Sequence, residues 1–291
     1  MPERPDLEYV VPILNRELSG RTITGMRIRK PVVLRTLLDG SPDRLLIGQT
    51  FRAVARRAHF VLFNLSGPTP IELAVSPMLA GRFTVAPVGS RSTADLALAW
   101  SLSDGRELRY RDDVQMGKVY VIRPHEWELV PGLATIGADV LDDRVFTRER
   151  FRALAKSRRD QVKVFLMDKT ALDAMGNAYA DEVLWEAGIH PKRMARSLSD
   201  DELDRLHDAI VRVLRNATEV IGQRRPPLDE KLRDFLNVRG RAGHPCPRCA
   251  TTIRTARVHA DDAHFCPHCQ PDGRRRPFVD WRRLERRPAG D

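Results

Sequence analysis

Apolar positions along the chain change period near its middle. After Pro5, Leu7, Val10, Val11, Leu14 and Leu18 recur at helical spacing, and Gly20 follows as a stop signal, so a helix running from Asp6 is predicted. Short β-branched runs come next, over 23–28, 32–34, 51–54, 60–65, 82–85, 96–102 and 119–122. Turn signals such as Asp39-Gly40 and Asp104-Gly105 separate them, which makes this half a β-sandwich or a barrel. The stretch 124–143, with Pro131, Gly132 and Gly137, is predicted to be a linker. Beyond it, 148–156, 161–168, 178–187 and 200–221 carry apolar residues three and four apart, as helices do. Ser199 precedes Asp200, Asp201 and Glu202, a good N-cap followed by acidic residues that complement the helix dipole. Gly188-Ile189-His190-Pro191 is predicted to be a tight turn between two of these helices.

Charge changes the picture more than size does. The 291 residues carry a formal +10, which favours a polyanionic partner over an acidic small molecule. From Arg224 onward there are 16 Lys and Arg against 9 Asp and Glu, so most of the excess lies in the last quarter. No window approaches the ~20 apolar residues of a membrane span. The start MPERPDLEYV also lacks a signal peptide's apolar segment. A soluble cytoplasmic protein with no membrane partner is therefore expected.

All four cysteines fall late, as Cys246-x2-Cys249 and Cys266-x2-Cys269. Two CxxC loops can set four thiolates tetrahedrally around one Zn²⁺, with a β-hairpin between them, so one structural zinc is predicted. A redox reading explains neither the second pair nor the missing βαβ pattern. His259, His264 and His268 are expected at the surface or facing a partner, because the cysteines already supply four ligands.

Four separated segments carry a resemblance: MPERPDLE, MGNAYADEVLWEAGIHPKR, NVRGRAGHPCPRC and FCPHCQ. In order and content they resemble the bacterial formamidopyrimidine-DNA glycosylase/endonuclease VIII family. The resemblance implies an α+β, two-domain protein. Residues 1–123 would be an N-terminal catalytic β-sandwich with a leading helix, and 124–143 a linker. A helix-two-turn-helix DNA-binding domain would follow over 144–240, a four-cysteine zinc-finger hairpin over 241–273 and a basic tail over 274–291. Double-stranded damaged DNA would lie across the cleft, and a monomer suffices to hold one lesion.

Removal of Met1 would expose Pro2 as a secondary amine, and an α-amine with a pKa of about 7.7–8.0 is partly unprotonated near neutrality. In the reading the resemblance implies, Pro2 attacks C1′, displaces the base and leaves an iminium, while Glu3 moves protons. Asp6 stands where the family usually has glutamate. Asn177, at the start of a helix whose free N–H groups face DNA, would bind a phosphate or act as an ordinary N-cap. Lys163 matches a family lysine near the lesion, with a solvated helix-face lysine as the alternative.

Three departures qualify the resemblance. Asp261 occupies the hairpin position of a phosphate-gripping arginine, and aspartate repels a phosphate; Arg254, Arg257 or His259 could substitute from neighbouring positions. His59 stands for a phosphate-binding lysine and is mostly neutral at pH 7, offering a hydrogen bond in place of a full charge. The loops that fill the void left by a flipped base read Pro77-Met78-Leu79 and Val114-Gln115-Met116. Leu79 or Met78 would supply the first wedge, and Gln115 and Met116 replace the family's Arg and Phe; core packing of Met78 and Met116 is the alternative.

The expected function is a base-excision glycosylase with AP-lyase activity acting on bacterial nucleoid DNA. The changed clamps point to an atypical lesion, bulkier or in single-stranded or crosslinked DNA. The alternative is a damage- or structure-specific DNA-binding protein of the same fold that has lost chemistry. A third reading, an RNA- or ribosome-associated binder, leaves the opening Met-Pro-Glu unexplained.

Overall fold

A computed structural model describes residues 2–173 and 175–272. Met1 and the basic tail over 274–291 lie outside the described residues.

Helix α1 (Arg4–Leu18) starts two residues before Asp6, because Glu3 is its N-cap and the Glu3 N–H donates to Asp6 Oδ2 at 2.8 Å. Its Leu7, Val11, Leu14 and Leu18 are buried on one face. The strands are β1 (Ile23–Ile28), β2 (Leu34–Thr36), β3 (Thr50–Arg57), β4 (Phe60–Ser66), β5 (Ile71–Ser76), β6 (Arg82–Pro87), β7 (Leu96–Leu102), β8 (Arg106–Arg111) and β9 (Lys118–Ile122), with a short helix α2 (Pro42–Leu46) before β3. They form two sheets, β2-β9-β5-β4-β3 and β1-β7-β8-β6, so the first half is a sandwich and not a barrel. Phe51, Phe63, Phe83, Trp100 and Tyr110 fill the space between the sheets, beside Leu14 of α1.

Strands β5 and β8 escape the sequence pattern because charged residues interrupt it. Each such charge is buried with a partner: Trp127 Nε1 donates to Glu72 at 2.7 Å, and Glu107 takes hydrogen bonds from Arg27 at 2.8 Å and Arg109 at 2.5 Å. Val32 and Val33, expected in a strand, lie in a 3₁₀ turn (Pro31–Val33) ahead of β2.

The expected linker is packed along its length. Val130 and Leu133 are buried with Phe60 and Ile122. Gly137 lies against Ala171 so closely that a Cβ would sit 2.3 Å from its backbone, so only glycine fits. The chain then forms α3 (Arg148–Ser157), α4 (Val162–Met167), α5 (Asn177–Ala187) and α6 (Asp200–Arg224). Gly188 ends α5 at φ +70°, and Ser199 and Glu202 form a capping box on α6. Strands β10 (Arg254–Val258) and β11 (Asp261–Phe265) make the late hairpin. Among the described residues no helix is long and apolar enough to cross a membrane.

Candidate active site and nucleic-acid face

The start of the chain is clamped against the start of α5. Glu3 is 4% exposed, and its carboxylate accepts the N–H groups of Gly176 at 2.8 Å, Ala178 at 3.0 Å and Tyr179 at 3.1 Å. These are the donors a helix leaves without partners, so Glu3 caps α5 from about 170 residues away in sequence. Gly176 is required for the approach, since a Cβ there would lie 2.8 Å from the Glu3 carboxyl carbon. Burial raises the Glu3 pKa; the nearby Arg233 and the backbone donors oppose that rise. A carboxyl poised above its usual range suits proton transfer near neutrality.

Asp6 faces its own helix start and Arg233, whose guanidinium grips it at 2.9 and 2.6 Å while lying 5.2 Å from the centre of the Tyr179 ring. The Pro2 ring, half-buried, lines a small cavity with Asp6, Phe83, Leu228 and Lys231. Beside it lies a second knot. Asp173 Oδ2 takes Arg4 at 3.0 Å and Arg56 at 2.6 Å, and Asp139 takes the same two arginines at 2.7 and 3.1 Å. Glu8 completes it, with both arginines within 3.0 Å. Sequence reasoning missed Arg4, Arg56, Arg233, Asp139 and Asp173, because, the Arg4–Glu8 pair within α1 apart, their partners lie on distant elements.

The two loops expected to fill the void both project apolar side chains. Leu79 is 55% exposed and Met116 43%, so Met116 is not core packing, while Met78 is half-buried. Met78 and Gln115 adopt φ of +48° and +59°, a left-handed backbone that costs energy for residues other than glycine. Asp112 holds the second loop by accepting from the N–H groups of Gln115 at 2.9 Å and Gly117 at 2.8 Å.

Three sequence expectations need correction. His59 is 6% exposed, turned inward beside Phe60, and its Nδ1 is buried without a hydrogen-bond partner. Burial, with the nearby Lys169 charge, pushes its pKa down to about 3, so it offers no phosphate contact as placed. Lys163 is fully buried, its ammonium bound to Asp181 at 2.5 Å and to the Asp262 carbonyl at 2.8 Å, so it is not the solvated helix-face lysine of the alternative but ties the hairpin to α5. The N–H groups expected free beside Asn177 are taken by Glu3. Asn177 itself begins α5 behind an N-cap at Gly176, and its Nδ2 points to Asp261 Oδ1 at 3.4 Å.

On the hairpin, Arg254, Arg257 and His259 are exposed, and Arg257 Nε donates to the His259 carbonyl at 3.1 Å, which shapes the tip. His264 is half-buried, and its Nδ1 accepts the Gly240 N–H at 2.8 Å. His268 is exposed.

The four cysteine Sγ atoms lie within 4.8 Å of one another, with Cys249 3.4 Å from both Cys266 and Cys269, and Cys246 4.0 Å from Cys269. Sulfurs bound tetrahedrally to one zinc at ~2.3 Å would be about 3.8 Å apart, so the set fits one Zn²⁺. Trp185 Nε1 donates to Cys246 Sγ at 3.4 Å, Arg248 reaches Glu186 at 2.9 Å and Gln270 reaches the Ile189 carbonyl at 2.9 Å. These contacts fasten the metal module to α5 and the turn after it.

Comparison with known proteins agrees with this arrangement. Family models described as the formamidopyrimidine-DNA glycosylase N-terminal domain, the formamidopyrimidine-DNA glycosylase H2TH domain and a zinc finger found in FPG and IleRS match residues 1–119, 136–225 and 243–271. The formamidopyrimidine-DNA glycosylase of Alkalilimnicola ehrlichii is 36% identical over 290 residues, covering 93% of this chain and all of that protein. That of Lactiplantibacillus plantarum is 31% identical over 273 residues, covering 92% and 98%. The structure of Lactococcus lactis Fpg with abasic-site DNA superposes with a TM-score of 0.83 at 26% identity, covering 92% of this chain and 99% of that one. Its complex with N7-benzyl-Fapy-dG DNA gives 0.84 at 26% identity, covering 93% and 100%. With a two-sheet domain, a helical domain and a four-cysteine hairpin joined around a buried Glu3, the chain belongs to the formamidopyrimidine-DNA glycosylase family.

Proposed function

We propose that this protein is a base-excision DNA glycosylase with AP-lyase activity, and that Pro2 and Glu3 carry its chemistry. The observation that carries this reading is the junction of the chain start with α5: Glu3 is fixed by three backbone donors, and Pro2 borders a cavity roofed by the Leu79 loop. With Met1 removed, the neutral Pro2 nitrogen attacks C1′ of an everted nucleotide. The glycosidic bond breaks, the base leaves with its electron pair and takes up a proton, and the nitrogen loses its own. Ring opening gives an iminium between nitrogen and C1′. Loss of the C2′ proton then sends electrons toward C3′, the C3′–O bond breaks and the 3′ phosphate departs, after which water releases the amine. Glu3, with its raised pKa, moves the proton at the sugar.

Leu79 and Met116 fill the vacated stack, with Gln115 beside the orphaned base. Arg257, Arg254 and His259 offer the hairpin's exposed contacts to the phosphate backbone, with Asn177 at its base. Zinc supplies structure only, by holding the hairpin against α5 through Cys246, Cys249, Cys266 and Cys269. The protein works as a monomer on nucleoid DNA in the cytosol, because each side chain invoked comes from one chain.

The test is borohydride trapping on an abasic-site duplex, beside a form whose N-terminus is blocked. An adduct lost on blocking supports the Pro2 iminium. Tight binding without any adduct would favour the second reading, a structure-specific binding protein, which the Asn177–Asp261 contact in place of a phosphate clamp also favours.

A further inference from the structure

Lys231 lies on the loop that returns from α6 and reaches across to the first domain, where its Nζ donates to the Leu79 carbonyl oxygen at 3.0 Å. That acceptor is neutral, and Asp6 is the carboxylate that attracts the ammonium. Under this contact is the small cavity that Pro2 and Lys231 line together. Partial burial pulls the Lys231 ammonium below the usual lysine range, and Asp6 opposes that shift.

The other charges around Pro2 are engaged elsewhere. Asp6 is gripped by Arg233 at two points. Arg82 lies 3.4 Å from Asp113 and 3.7 Å from Asp95, and Asp229 is paired with Arg111. Glu3 is turned to α5, and Glu230 is exposed to solvent screening.

We propose that Lys231 is a positioning residue for the Pro2 amine, acting as a strut that ties the nucleophile to the wedge loop carrying Leu79. The inference rests on Pro2 being the nucleophile. A cation beside a second amine disfavours protonation of that amine, so Lys231 keeps more of Pro2 in its reactive neutral form. Through Leu79 the same side chain makes insertion of the wedge and placement of the amine one event.

The experiment is borohydride trapping on an abasic duplex between pH 5 and 9, using the full zinc-loaded chain, its N-terminally blocked form, and the variants Lys231→Met, Lys231→Gln and Lys231→Arg. Expected are no adduct from the blocked form, an upward shift of the trapping midpoint by about one pH unit in Lys231→Met, and a near wild-type midpoint in Lys231→Arg. Lys231→Gln reads the same shift should Lys231→Met fold poorly. An unchanged midpoint in Lys231→Met or Lys231→Gln, with trapping still abolished by the block, overturns the role of Lys231 and leaves Pro2 standing. An adduct that survives the block overturns both; if Lys231→Met then removes it, the lysine is itself the nucleophile.

Discussion

Asn177 Nδ2 and Asp261 Oδ1 face each other at 3.4 Å, joining the start of α5 to the tip of the zinc hairpin. The carboxylate directs the Asn177 amide toward protein and presents negative charge beside the hairpin tip, where the proposed function brings the DNA backbone. Asp261→Arg reverses that charge within reach of the backbone, so duplex affinity should rise about ten-fold at moderate salt. The slope of log affinity against log salt should steepen by about one for the added phosphate contact. Fluorescence anisotropy at several salt concentrations checks this, and an unchanged slope would show that DNA does not reach the hairpin tip.

Glu3 closes the N-terminus of α5, and the proposed chemistry gives it a second, separable duty of moving a proton. Glu3→Ala orphans three buried N–H groups and should cost about 2 kcal/mol or more of stability in urea unfolding. Glu3→Gln keeps an acceptor oxygen and most of the packing but cannot exchange a proton. Single-turnover excision from a duplex bearing a formamidopyrimidine should slow by about 10²–10⁴-fold. Were Glu3→Gln to excise at the wild-type rate, Glu3 would be a cap and nothing more.

How far this site could be read from the chain depended on whether a residue's partner lay nearby in sequence. The period of Leu7, Val11 and Leu14 marks α1, and two CxxC pairs mark the metal module, because both signals are local. The strands holding Glu72 and Glu107 were invisible, since a buried charge looks like a solvent-facing one until its partner is known. Lys163 misleads for the same reason: its charge points to an outer face, but Asp181 on α5 receives it inside. The Arg4–Asp173 contact spans 169 positions, a separation that no spacing argument bridges.

That contact carries its own consequence. Asp173 is 3% exposed, and burial raises its pKa even though Arg56 and Arg4 oppose the rise. Removing the carboxylate leaves two guanidinium groups partly uncompensated at the junction of the two domains. Asp173→Ala should therefore destabilise the protein by about 3 kcal/mol, less than complete isolation of the arginines because Asp139 and Glu8 remain. Arg4 neighbours Glu3, so excision should slow as well, beyond what the fraction folded explains. Equilibrium unfolding alongside activity at low temperature separates the two effects.

His59 should make the protein sensitive to acid. Its folded pKa is about 3, against about 6.5 when unfolded, so between those values the unfolded chain binds a proton that the fold refuses. Stability from this group is complete above pH 6.5 and falls as pH drops, at up to about 1.4 kcal/mol per pH unit, levelling off below pH 3. Glu3 and Asp173, whose pKa values are raised, act in the opposite sense just above the usual carboxyl range, so the total pH curve mixes both. The clean measurement is a difference. His59→Gln does not titrate, and between pH 7.5 and pH 4.5 the wild type should lose about 3 kcal/mol more than this variant in urea unfolding. Parallel curves would mean that the imidazole is hydrated and takes up its proton in the folded protein as readily as in the unfolded chain.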